Sequence, residues 1–80
     1  MQEWLEAASG RLAAEAGASS GELSLDQVQI DELLELARVA AHESGERINA
    51  PLACYLVGLA HGRHGGALDE LVDAVIGKSG

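Results

Sequence analysis

An all-α fold, a compact four-helix antiparallel bundle forming a single domain over residues 1–80, is what this chain predicts, and three observations predict it. Apolar residues recur at the three- and four-residue spacing of helices along nearly the whole sequence. The breaks between those runs fall at glycine or proline, where helices stop or start. No stretch alternates apolar and polar residues as a strand would, and no internal repeat is present. The expected helices cover about residues 2–16, 26–44, 50–62 and 67–76.

In the first helix, stepping about 100° per residue gathers Trp4, Leu5, Ala8, Leu12 and Ala16 into one stripe and leaves Glu3 and Glu6 outside it. Gly17 then supplies a left-handed end. Residues 18–22, with two serines and a glycine, read as a loop. The second helix starts between Ser24 and Asp31, because Ser24 with Gln27 and Asp26 with Gln29 both have capping-box spacing. Its body puts Ile30, Leu33, Leu34, Leu36, Ala37, Ala40 and Ala41 on one face and Asp31, Glu35, Arg38 and His42 on the other, and Gly45 closes it.

Asn49 or Ala50 caps the third helix, with Pro51 in the first turn, where its missing N–H costs nothing. Here apolar residues run almost all the way round. Leu52, Tyr55, Leu56 and Leu59 make one stripe, and Cys54, Val57 and His61 make another on the opposite side. That pattern predicts a central helix. Gly58 offers a close approach to a neighbour, and Gly62, Gly65 and Gly66 end the segment. The fourth helix gathers Leu68, Leu71, Val72, Val75 and Ile76 on one face, and short connections imply antiparallel neighbours.

Composition narrows the function classes. At 80 residues and 8.3 kDa the chain has room for one core and none for a multidomain enzyme, since a domain of this size buries only about 60% of its unfolded surface. An apolar content of 48% excludes a disordered tail. Trp4 and Tyr55 are the whole aromatic complement and are expected as core or half-buried packing anchors, with an interface role as the alternative. A core so short of aromatics leaves a homodimer open. Thirteen acidic residues against five basic ones, a net charge of −8, argue against nucleic acid, whose binding depends on neutralised phosphates. Such a surface suits a protein partner.

Cys54 stands alone, so no disulfide forms within the chain, in keeping with a reducing, cytoplasmic setting. The opening Met-Gln-Glu-Trp lacks the basic start and apolar run of an export signal. The uncharged run from Ile48 to Ala60 falls well short of the roughly 20 residues that span a bilayer, so no membrane role is expected. Divided along the chain, the charge is uneven. Residues 1–36 hold eight acids and Arg11, whereas residues 37–64 hold three arginines, two glutamates and every histidine.

Three constellations could carry chemistry. His61, Arg63, His64, Gly65 and Gly66 lie before the fourth helix, whose free N–H groups and dipole favour an anion, with Arg63 able to grip a phosphate or carboxylate. The same residues equally serve to end the third helix. Cys54 and His61, seven apart, with His64 in the turn, are ligand types that suit zinc, although Cys54 also reads as a small core residue. A Cys54–His61 nucleophile pair is opposed by the two helical turns between them, about 10 Å. Third, Ser24-Leu25-Asp26-Gln27-Val28-Gln29-Ile30 resembles the start of the second helix in acyl and peptidyl carrier proteins. That resemblance implies phosphopantetheine on Ser24. Leu23 stands where that family has Asp, and a helix cap is the plainer role for Ser24.

Two longer stretches resemble another family: Asp31-Glu-Leu-Leu-Glu-Leu-Ala-Arg-Val-Ala-Ala-His42, and Pro51-Leu-Ala-Cys-Tyr-Leu-Val-Gly-Leu-Ala-His-Gly-Arg63 with the glycines beyond it. With Glu3-Trp4-Leu5 they resemble a small actinobacterial helical domain of unknown function, found alone or fused to molybdenum-cofactor guanylyltransferases. The resemblance implies an accessory role in molybdopterin guanine dinucleotide synthesis, with such a transferase as partner. The expectation is therefore a non-enzymatic interaction module without a cofactor of its own, making contact through its third helix. A carrier protein modified at Ser24 and a small metal-binding regulator are the alternatives.

Overall fold

The computed structural model describes residues 2–19 and 21–77, with Gln2 described by its backbone alone. Ser20, inside the expected loop, lies outside them. The fold is all-α, a bundle of four helices: α1 (Gln2–Ala16), α2 (Gln27–Ser44), α3 (Asn49–His64) and α4 (Leu68–Ile76). No strand occurs among the described residues.

Each boundary has a chemical cause. Gly17, at φ 76°, ends α1 by letting the Ala18 N–H reach back to the Ala13 carbonyl at 2.8 Å. Of the two capping boxes the sequence offers, Asp26 with Gln29 forms. The Gln29 N–H donates to Asp26 Oδ1 at 2.8 Å, and the Asp26 N–H donates to Gln29 Oε1 at 2.9 Å. Left-handed Gly45 closes α2. Helix α3 begins without a side-chain cap. Two tight turns, Asn49 N–H to the Glu46 carbonyl and Ala50 N–H to the Arg47 carbonyl, both 3.1 Å, lead into it and place Pro51 third in the helix. It also runs past Gly62, which stays helical, because the residue that leaves the right-handed region is Gly65, at φ 76°.

The core is small. Leu36 of α2, Val57 of α3 and Val72 of α4 are fully buried together, with Leu33, Ala53, Cys54, Leu68, Leu71 and Ile76 packed against them. Helix α1 contributes nothing to this cluster, and no Cα of α1 lies within 8 Å of a Cα in another helix. It is held instead through residues 23–25, with Ala13 buried apart from the main cluster.

Three expectations are corrected here. Trp4 and Tyr55 are not packing anchors: they are 69% and 67% exposed. Helix α3 is not central, because α1 does not close over it. Cys54 and Val57 turn inward, while Ile48, Leu52, Tyr55 and Leu56 point away from the core and are each more than half exposed. The α2 face is rotated too, leaving Leu34 outside and Val39 partly covered.

As a result the chain exposes 5931 Å², whereas a compact monomer of 8.3 kDa is expected to expose about 4,600 Å².

Candidate functional site

The corner between α3 and α4 has a different build from the expected flexible loop. His61, Arg63 and His64 belong to the last turn of α3, where positive charge complements the helix C-terminus. Gly65 donates its N–H to the His61 carbonyl at 3.1 Å. The His61 ring then closes the corner: Nδ1 lies 2.9 Å from the Gly66 carbonyl. A carbonyl only accepts, so Nδ1 carries the proton and Nε2 is left free. Beyond the corner, Asp69 and Glu70 occupy the first turn of α4, and Asp69 Oδ1 accepts the Glu70 N–H at 2.9 Å. The chain thus supplies its own carboxylates at the helix start where an external anion would sit. His61, Arg63, His64, Gly65 and Gly66 are all exposed around this corner.

Cys54, His61 and His64 are not brought together as a metal site. Among the described residues no group of three His, Cys, Asp or Glu side chains is placed to hold a metal ion. The reason is geometric, since all three stand on one helix, and the rise from Cys54 to His64 is about 15 Å. The Cys54 thiol instead donates weakly to the Leu33 carbonyl of α2, with Sγ at 3.8 Å. Burial pushes its pKa up, which opposes the thiolate that nucleophilic attack requires.

Ser24 is not the cap of α2. It lies two residues before Asp26, and its Oγ donates to the Gly21 carbonyl at 2.8 Å, locking a turn. Next to it is a feature the sequence reading missed. Leu5, Ala8 and Leu12 of α1 face Leu23 and Leu25 across an apolar groove of about 250 Å³, with Glu6, Ser9 and Ser24 on its wall. The available signal was Leu23 and Leu25 themselves, two large apolar residues in an otherwise polar connection. The surroundings are acidic, because residues 2–26 contain Glu3, Glu6, Glu15, Glu22 and Asp26 against Arg11 alone.

No helix among the described residues is long and apolar enough to cross a membrane. Residues 1–79 match the family model described as Domain of unknown function (DUF6457), and the chain belongs to that family. Nothing among curated proteins or solved structures matches it.

Proposed function

We propose that this member of the family is a non-enzymatic interaction module, and that its acidic groove seats a basic amphipathic helix of a molybdenum-cofactor guanylyltransferase. The groove between α1 and residues 23–25 is the observation that carries the reading. It offers leucines for the apolar face of such a helix and carboxylates for its basic flank. The partner's identity rests on the resemblance of residues 31–42 and 51–63 to domains that accompany those transferases. The proposal moves the contact from α3, where the sequence suggested it, to α1.

Titration calorimetry with a purified guanylyltransferase from the same genome tests this. Binding is expected, weakened by salt as acid–base contacts are and lost in Leu12→Glu. Heat-silent mixing, or binding indifferent to Leu12→Glu, overturns it.

A further inference from the structure

Two parts of the molecule lack a helical neighbour, and they are joined by one connection. On the outward side of α3, Ile48, Leu52, Tyr55 and Leu56 are exposed and fall in one band with Leu59 and Arg63 at the helical step. On α1, Trp4 and Leu12 stay exposed even though the helix rests on Leu23 and Leu25. The two helices match in length, 15 and 16 residues. Between α1 and α2 run residues 17–26, which can span about 33 Å when extended, several times the roughly 8–10 Å between packed helices.

We infer that α1 is a strap with a second seat, the outward face of α3, and that taking this seat dismantles the groove. Charge selects α3 among the three core helices. Helix α1 brings Glu3, Glu6 and Glu15; α2 would oppose them with Asp31, Glu32, Glu35 and Glu43, and α4 with Asp69, Glu70 and Asp73. Helix α3 has no acid and ends in Arg63. Area agrees, because the excess over a compact monomer arises from α1 standing apart, and closure covers the apolar faces of α1 and α3 together. Covalent attachment favours α1 over any free occupant, since a short tether holds it at an effective concentration of about millimolar.

The register follows from the topology. The short turn between α2 and α3 sets them antiparallel, so α1, which also precedes α2, runs parallel to α3. With the C-terminal ends level, Trp4 falls beside Leu52, Ala8 beside Leu56, Leu12 beside Leu59 and Glu15 beside Arg63. Gly17 and Gly21, at φ 76° and 87°, are the hinge, and a Cβ built at either would meet nothing within 4 Å, so no packing opposes rotation there. Leu23 and Leu25 hold the open arrangement, which leaves the closed one as a minor state of about 0.1–10%.

Disulfide trapping in the full chain gives the test, with Cys54→Val removing the native thiol. Trp4→Cys with Leu52→Cys lies at the end farthest from the hinge, and under mild oxidation it should link within one chain. Glu3→Cys with Leu52→Cys stands at the same level but on the reverse side of α1; it should link about tenfold or more slowly, because a disulfide needs its Cβ atoms about 4 Å apart. Equal rates, no link, or a link that joins two chains overturns the inference. Adding Leu25→Ser loosens the groove seat and should speed linking severalfold, and a rate that is unchanged or slower overturns the competition between seats. The consequence for binding rests on the proposed function, whereas the closure does not. Linked protein should bind the guanylyltransferase more weakly than the same variant reduced, and equal binding overturns control of the groove. A parent chain that binds no transferase overturns the proposed function alone.

Discussion

Helices α1 and α3 are nearly equal in length, 15 and 16 residues, and both display large apolar side chains to solvent, but they are anchored in opposite ways. Helix α3 gives Val57 to the shared core and turns a second apolar face outward. Helix α1 gives nothing to that core and meets the chain through Leu23 and Leu25. Exposed leucines therefore have two meanings in one small protein. On α3 they are surplus to a face already buried, so folding does not need them. On α1 they line the groove by which the helix is held.

The difference can be broken most forcefully within α3 itself. Val57→Asp places a carboxylate in a site only 2% exposed and should cost more than about 4 kcal/mol, enough to unfold the domain in a denaturant titration. If Val57→Asp folds normally, the inward and outward faces have been assigned the wrong way round. Next in size is Asp26→Ala. Losing the carboxylate that accepts the Gln29 N–H, while the backbone N–H of residue 26 still donates to Gln29 Oε1, should cost about 1 kcal/mol and lower the melting temperature by about 4–8 °C. Ser24→Ala should cost far less, because Ser24 caps nothing, and an equal loss in both variants would mean that the cap has been misplaced.

A smaller effect tests the inward face through pH. Burial raises the Cys54 pKa in the folded state, so the native chain holds that proton more tightly than the unfolded one. The contribution is fully present below the ordinary value of 9.0 and is lost as pH rises from there through the folded-state pKa. Denaturant midpoints should fall above pH 9.0 in the native sequence and fall less in Cys54→Val. The smallest effect belongs to the outward face: monomer stability of Tyr55→Glu should stay within about 0.5 kcal/mol of the parent. A larger loss would show that Tyr55 has a partner inside the chain.

Much of the architecture was written in local chemistry, which a sequence displays directly. Gly17 and Gly45 sit where a left-handed residue ends a periodic run, and they end α1 and α2. Gly62 misled because glycine permits such an end without requiring it, and the helix continues to Gly65. The two capping boxes were indistinguishable by spacing. What separates them is that the Ser24 hydroxyl is already committed to Gly21, which no spacing reveals.

The burial of α3 was illegible for another reason. A helix apolar all round reads as central only if something covers both faces, and whether α1 reaches across depends on the path of residues 17–26 rather than on either helix alone. At the corner, the run His61 to Gly66 stood out in the sequence because histidine, arginine and glycine follow one another there. That Nδ1 of His61 would be spent on the Gly66 carbonyl depends on how the turn closes.

The separation of α1 from the other helices also bears on how the molecule opens. Amides of α2, α3 and α4 share one buried cluster and should become exchangeable together, near the free energy of global unfolding. Those of α1 are tied down through a short connection and should exchange earlier, in a subglobal opening that leaves Leu36, Val57 and Val72 packed. The protein would then breathe at its groove while its interior stays shut, so that a partner helix could enter without the core first coming apart.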